Sequence, residues 1–259
     1  MLKKAAGLLA VAVCLALPAS AQTVDEIIAK NIQAHGGEAK VRAVKTLRMT
    51  GKMEVGPGME APMIVSFERP EMVRMEFSLQ GMTAIQAYDG KSGWSVMPFV
   101  GKKDPEPMAD DDLKEIQNQA DLDGPLMDYK AKGNTVEYLG KEKVEGSDAY
   151  KLKITRKNGT IETTYIDADS GLEVKTITKA MIRGNETEIV TTFSDFRDVQ
   201  GIIMPFAIES AATGSTQKQR VTVEKVEINP EMSESQFHMP APAAADPAKP
   251  ADKPGAELR

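Results

Sequence analysis

Regular alternation of apolar and polar side chains is the feature of this sequence that most restricts its fold. Between Thr46 and Leu79 the alternation has a period of two, in three stretches separated by turn-forming residues. A strand with this pattern buries one face and exposes the other. The three stretches therefore predict neighbouring strands that share an apolar face, formed by Leu47, Met49, Met53, Met63, Val65, Phe67, Met75 and Phe77.

The same period returns along most of the chain. A fourth strand, which carries Ile85, and a fifth flank the turn Asp89–Gly93, and further strands are predicted from Thr135 to Ile228. Residues 98–109 are predicted to be irregular. Turns at intervals of roughly 8–12 residues, without intervening helices, indicate an antiparallel meander of about 11 strands. A sheet of this size has to curl, because strand twist accumulates and its apolar face needs a cover.

Two predicted helices are available as covers. Thr23 and Glu26 form a capping box at the start of the first, and Gly36 ends it. The second follows Asp110–Asp112, whose carboxylates favour a helix start, and ends before Gly124. The first helix is predicted to act as a lid through the apolar side chains of Ile27, Ile28 and Ile32.

The beginning of the sequence has the pattern of an export signal. Lys3 and Lys4 precede the apolar run 5–17, which ends before the small residues Ala19-Ser20-Ala21. The run is shorter than the roughly 20 residues that span a bilayer, so a cleaved signal peptide is favoured over a membrane anchor. We therefore predict that residues 1–21 are removed after Ala21 and that the mature protein is periplasmic.

Charge and composition restrict the mature protein further. The chain has 32 Lys and Arg against 38 Asp and Glu, and this acidic balance argues against nucleic acid as a partner. Its single cysteine, Cys14, lies inside the predicted signal, where Val13 does not suit lipid attachment. Residues 240–259 are rich in Pro and Ala and poor in bulky apolar residues, which predicts a disordered tail after a domain spanning residues 22–239.

Residues typical of catalytic or metal centres are scarce. The only histidines are His35, at a predicted helix end, and His238, at the edge of the predicted tail. Without a mature cysteine or closely spaced histidines, a zinc site is not predicted. The acidic runs 110–112 and 167–171 suit a helix start and a turn better than a calcium loop, since the later ligands of such a loop are missing. No catalytic residue, metal or cofactor is therefore predicted.

The high methionine content is the one unusual feature of the composition. The chain has 15 Met against 7 Phe and 1 Trp, and several of the methionines fall on the predicted apolar face. Because methionine is flexible and polarizable, it suits a surface that accepts apolar ligands of variable shape. An ordinary core filled by methionine explains the composition equally well.

Several stretches, taken in chain order, resemble the outer-membrane lipoprotein-sorting proteins of the LolA/LolB-like family. The stretches that carry the resemblance are Leu47–Gly51 after the first helix, Tyr88–Trp94, Tyr165–Asp167 with Gly171, Phe193–Arg197 with Pro205–Phe206, and Phe237–Pro240. The resemblance implies a half-open, strongly curved β-barrel, with helices on its concave side and a cavity for acyl chains. Its departures are a longer chain and the Pro/Ala tail, and no single residue matches a known acyl-contacting position.

The leading hypothesis is a non-catalytic periplasmic protein that binds or carries lipid or lipoprotein acyl chains, with envelope membrane proteins as candidate partners. Its predicted cavity lining is the apolar face named above together with Ile85. The alternative is an envelope scaffold or sensor domain that binds a protein partner at its strand edges and carries no lipid. An enzyme is the third possibility, and the scarcity of histidine argues against it.

Overall fold

The structure is a computed structural model that describes residues 22–56, 58–182 and 185–241. The predicted signal peptide, residues 1–21, lies outside the described residues, as does 242–259 of the predicted tail. Within the described ranges, no helix is both long enough and apolar enough to cross a bilayer.

A single antiparallel sheet of 13 strands dominates the structure. Its spatial order is β6-β5-β4-β3-β2-β1-β13-β12-β11-β10-β9-β8-β7, so β6 and β7 are the two edges and the sheet is not closed. In chain order the strands are β1 (Thr46–Gly56), β2 (Met59–Glu68), β3 (Met72–Leu79), β4 (Met82–Asp89), β5 (Gly93–Met97), β6 (Lys102–Pro107), β7 (Thr135–Val144), β8 (Ser147–Thr155), β9 (Ile161–Asp167), β10 (Glu173–Ile182), β11 (Asn185–Val199), β12 (Ile202–Ala212) and β13 (Gln219–Ile228).

The strand count corrects the sequence prediction of about 11 strands and an irregular segment at 98–109. Strand β6 lies in that segment and pairs with β5 at the edge of the sheet. Its side chains are nearly all exposed, so no apolar alternation marks it. Pro105 and Pro107, which lack a backbone N–H, are tolerated because an edge strand has one unpaired side.

Strands β12 and β13 join the two halves of the sheet along a short seam. Register pairs run from Ala207 to Ser210 on β12, opposite Thr222 to Gln219 on β13. By comparison, β11 pairs with β12 along nearly the whole of β12, from Ile202 to Ala212. Beyond the seam, toward Ile202 and Ile228, the two strands carry no register pairs with each other.

Three α-helices accompany the sheet, namely α1 (Val24–Ala34), α2 (Glu38–Ala43) and α3 (Asp110–Ala120). Two 3₁₀ helices span Pro98–Val100 and Glu234–Gln236. The predicted capping box is confirmed, since the Glu26 N–H donates to Thr23 Oγ1 at 3.2 Å and the Thr23 N–H to Glu26 Oε2 at 2.8 Å. This reciprocal cap satisfies two donors that the start of a helix otherwise leaves unpaired.

Helices α1 and α3 pack on the same face of the sheet, which we call the inner face. Helix α3 covers β2–β4 and forms a cluster of Val65, Val73, Tyr88, Ile116 and Ala120, the α3 core. Helix α1 covers β8 and β9 and forms a second cluster, the α1 core, of Ile27, Ile28, Leu126, Tyr150, Leu152, Ile154 and Ile166. The sheet thus has two separate cores on one face.

The segment after β13 crosses the opposite, outer face. Phe237 is completely buried there, and its carbonyl accepts a 2.7 Å hydrogen bond from Trp94 Nε1. Arg74 Nη1 donates to the carbonyl of Gln236 at 2.9 Å, and its guanidinium lies 5.5 Å from the Trp94 ring centroid. The chain is therefore anchored to the outer face immediately before the predicted tail.

Candidate functional site

Strand register places most of the predicted lining residues together on the inner face. Leu47 pairs with Phe67, Met49 with Val65 and Val65 with Met75. Side chains of directly paired residues in antiparallel strands point to the same side. The full set that shares this face is Leu47, Met49, Met53, Met63, Val65, Phe67, Met75 and Phe77.

The prediction that Ile85 belongs to this set is wrong. Ile85 pairs with Glu76 on β3 and Val96 on β5, and Glu76 pairs with Ile64, so all four lie on the outer face. The inner positions of β4 are Ala84, Gln86 and Tyr88. Because side chains alternate between the two faces of a strand, the register that turns Tyr88 into the α3 core turns Ile85 outward.

The lining residues differ in how far they are buried. Leu47 and Val65 are buried, with 2% and 8% of their surface exposed. The others are half-buried: Met49, Met53, Met63, Phe67, Met75 and Phe77. Met49, Met63, Phe67 and Met75 pack at the margin of the α3 core, beside Met108 and Leu113. A methionine-rich part of the inner face is thus in contact with the core and also reachable from solvent.

The predicted lid residues lie on the other half of the sheet. Ile27 and Ile28 are buried in the α1 core, and Ile32 packs at its edge. Asn31 Nδ2 also ties α1 down by donating to the carbonyl of Gly171 at 2.9 Å. It is α3, rather than α1, that covers the methionine-rich strands.

Residues 121–134, which we call the cover segment, connect α3 to β7 as a series of turns. Leu126 and Met127 are both buried, each with 3% of its surface exposed. In the sequence, Gly124 was interpreted only as the end of a helix, so this element was not predicted. The sequence feature that indicates this element is the adjacent apolar pair Leu126-Met127, because exposed polar residues are usual in a turn-rich stretch.

Arg69, just after β2, ties the cover segment to α2. Its Nη1 and Nη2 donate to the two carboxylate oxygens of Asp123 at 2.7 and 2.5 Å. Its Nε donates to the carbonyl of Val44 at 2.5 Å, and Nη2 also donates to that of Val41 at 3.1 Å. Burial alone raises the pKa of Asp123, but the Arg69 guanidinium outweighs it and the pKa is lowered.

Two adjoining cavities lie between α2, the cover segment and the separated ends of β12 and β13. The larger has a volume of about 250 Å³, and its wall includes Asn31, His35, Asp123 and Glu173 as well as apolar side chains. The smaller has a volume of about 60 Å³ and a wholly apolar wall, formed by Val41, Val44, Leu47, Leu122, Ile202, Met204 and Ile228. Leu47 thus connects the predicted lining with a cavity.

His35 docks the end of α1 on β12 beside the larger cavity. The N–H of Ile203 donates to the His35 carbonyl at 3.2 Å, and His35 Nδ1 lies 2.8 Å from the Ile203 carbonyl oxygen. His35 Nε2 is buried without a hydrogen-bond partner, 3.6 Å from Glu173 Oε2. Burial lowers the pKa of His35, but the Glu173 carboxylate and the Ile203 carbonyl outweigh it and the pKa is raised.

The remaining sequence candidates have structural roles. In the turn after β4, Asp89 Oδ1 accepts from the N–H groups of Lys91 and Ser92 at 2.9 and 2.7 Å, while Oδ2 lies 3.0 Å from His238 Nδ1. Burial raises the pKa of Asp89, but these donors outweigh it and lower the pKa to about 2. Asp167 likewise holds a turn by accepting from the N–H of Ser170 at 2.7 Å. Among the residues that the structure describes, no three His, Cys, Asp or Glu side chains are grouped as a metal site requires.

Comparison with known proteins shows which fold this chain shares with solved structures. No family model matches the sequence, and no curated protein matches it. Solved structures do match. A DUF1329 family protein from Desulfovibrio piger has a TM-score of 0.60 at 13% identity, over 83% of this chain and 97% of that one.

Two further structures carry names that bear on the fold. A LolA superfamily protein from Nitrosomonas europaea has a TM-score of 0.58 at 11% identity, over 84% of this chain and 98% of that one. A domain from Vibrio parahaemolyticus, named for outer-membrane lipoprotein sorting, has a TM-score of 0.55 at 11% identity, over 82% and 94%. At such low identities these similarities establish the fold, and they confirm the structural resemblance stated from the sequence motifs.

Proposed function

We propose that this protein is exported to the periplasm, loses residues 1–21, and binds or carries lipid or lipoprotein acyl chains without catalysing a reaction. The inner face of residues 22–239 forms the binding surface. The sheet curves as a half-open barrel, with the helices on its concave side. Each methylene group transferred from water to an apolar site contributes roughly 0.8 kcal/mol, so an acyl chain is held without covalent chemistry.

The observation that carries this proposal is the half-buried methionine set beside the α3 core. Met49, Met63 and Met75 pack at its margin without being enclosed by it. Apolar side chains left at a core margin on a concave face gain free energy when a further apolar group covers them. Methionine adapts its shape to such a group because its side chain has three rotatable bonds.

Changing Met63 to Asp tests the proposal, with Ile64 as the matched control. Met63 points to the inner face, whereas Ile64, the next residue of β2, points outward and has 38% of its surface exposed. We expect Met63→Asp, and likewise Phe67→Asp, to abolish uptake of a fluorescent acyl-chain probe, because a carboxylate in an apolar site is costly. Ile64→Asp should bind the probe as the unchanged protein does.

Lipid that co-purifies with the protein separates this proposal from its alternative. Native mass spectrometry of protein purified from the periplasm should show bound lipid, and Met63→Asp should be empty while keeping its far-ultraviolet circular dichroism. A folded Met63→Asp protein that still carries lipid would contradict the proposal. An empty unchanged protein would favour an envelope scaffold, for which the open edge of β7 offers unpaired backbone groups.

A further inference from the structure

The two adjoining cavities form one slot with a change of polarity along its length. Val41, Leu122, Ile202 and Met204 line both cavities, so these residues form the shared middle. The smaller cavity beyond them is bounded entirely by apolar side chains. The polar residues of the larger cavity do not touch the smaller one. The slot therefore has an apolar end and a polar end.

Most polar groups at the polar end already have partners. The amide nitrogen of Asn31 donates to Gly171, and the carboxylate of Asp123 accepts from Arg69. What remains is His35 Nε2 and the Glu173 carboxylate, 3.6 Å apart, which is too long for a hydrogen bond. A buried polar atom without a partner costs free energy, so a ligand group that bonds to it is stabilised there.

The protonation of His35 restricts what that ligand group can be. A carbonyl oxygen only accepts, so the contact with Ile203 requires a proton on Nδ1. Nε2 is then an acceptor in the neutral ring and a donor in the imidazolium. Because Nε2 is closed off from the cavity whereas the Glu173 side chain is partly exposed, a ligand hydroxyl reaches the carboxylate and donates to it in either state of the ring. A ligand carboxylate cannot donate a hydrogen bond and instead lies beside the carboxylate of Glu173, which is unfavourable.

The size of the slot limits the apolar part of the ligand. Together the cavities, of about 250 and 60 Å³, lie at the lower end of the roughly 300–1,000 Å³ range of small-molecule sites. A methylene group fills about as much space as a liquid water molecule, roughly 30 Å³, so the slot holds about ten of them. This is one alkyl chain of moderate length rather than several chains side by side.

We infer that the slot binds a single-chain amphiphile with a hydroxyl-bearing polar end. The hydroxyl donates to the Glu173 carboxylate beside the His35 ring, and the alkyl chain runs past Met204 toward Leu47. This inference rests on the proposed function and names the ligand class for one end of the same inner face.

Isothermal titration calorimetry with two probes of equal chain length tests the inference. We expect the unchanged protein to bind 1-decanoylglycerol more tightly than decanoate by on the order of ten-fold, because decanoate places a charge beside Glu173. Glu173→Gln removes that charge and should bring the two affinities to within about three-fold. Glu188→Gln, at an exposed position on β11, is the control and should keep the ten-fold preference.

Filling the slot provides an independent variant. Met204→Trp should abolish binding of 1-decanoylglycerol, and Met204→Phe replaces it as the test if the larger side chain prevents folding. Equal affinity of the unchanged protein for both probes, or unaltered binding by a folded Met204 variant, would overturn the inference. So would a protein that carries lipid from the periplasm but binds neither probe, and in that case the proposed function still stands. If both the inference and the proposed function are wrong, the unchanged protein should carry no lipid and bind neither probe.

Discussion

The two cores of the inner face are built on the same sheet but packed differently. In the α1 core, Ile27, Leu152, Ile154 and Ile166 have none of their surface exposed. In the α3 core, Val73 is as deeply buried, but four of the six half-buried side chains packed against this core are methionines, namely Met49, Met63, Met75 and Met108. Aliphatic side chains with few rotamers fill the first, and flexible thioethers border the second.

This difference indicates that the two cores have different roles in the protein. A close-packed interior resists any change in volume and stabilises a unique structure. A margin of half-buried methionines contributes less to stability and more to adaptable contact. We therefore expect the α1 core to hold the fold together and the methionine margin of the α3 core to receive ligand.

Truncating one side chain in each core tests this difference and has the largest expected effect on stability. Leu152→Ala removes a completely buried side chain and should lower the free energy of unfolding by roughly 2–5 kcal/mol. Met75→Ala, at a half-buried position, should lower it by less than about 1.5 kcal/mol. Urea denaturation followed by circular dichroism measures both. Equal losses would mean that the α3 margin is as much a structural core as the α1 core.

The ion pair between Arg69 and Asp123 tests which contacts hold the cover segment over the space between the two cores. Arg69→Ala leaves Asp123, whose side chain is 12% exposed, without its partner and should cost about 2–3 kcal/mol. Arg42→Ala breaks the surface ion pairs with Glu38 and Asp128, in which the Arg42 side chain is 43% exposed, and should cost much less because solvent screens such pairs.

Hydrogen exchange at the cover segment separates local opening from global loss. In Arg69→Ala, the amides near Leu126 should exchange faster than those of strand β8. A uniform rise in exchange across both would instead show that Arg69 supports the whole fold.

A smaller effect is expected from pH at His35, which joins the α1 side to β12. Because its pKa is raised above 6.5 in the folded protein, its contribution to stability is complete below that value and is lost as pH rises through the folded pKa. Glu173 faces the ring, Asp123 lines the same cavity, and Lys40 Nζ lies 3.4 Å from the nearby Gly201 carbonyl.

Glu173→Gln removes the main partner and isolates this effect. The unchanged protein should lose more stability than the variant between pH 6 and 8, by less than roughly 1 kcal/mol. Parallel stability curves across this range would show that the pair does not contribute.

Most of the sheet could be predicted from the sequence because apolar and polar side chains alternate in nearly every strand. It failed where alternation was weak. Strand β6 is an edge with exposed side chains on both faces, and β4 carries its bulky Ile85 outward while Ala84 faces α3. In both places tertiary packing, rather than the local pattern, determines which side chain is buried.

The candidate site was less predictable than the sheet. The methionine-rich face followed from the period of two, but the slot is formed by five segments distant in sequence, which include His35, Leu122, Glu173, Met204 and Ile228. Each of these residues is ordinary in its local context. Their proximity depends on the separation of β12 from β13, which no short stretch of sequence specifies.

That short seam between β12 and β13 gives the sheet a mechanical property. The flanking ladders, β1–β13 and β11–β12, are longer than the pairing of β12 with β13, which runs from Ala207 to Ser210. Fewer backbone hydrogen bonds therefore resist bending of the sheet at this seam than at either neighbouring ladder. Side chains, including the Arg69–Asp123 pair, have to close the space beside the seam that backbone pairing leaves open.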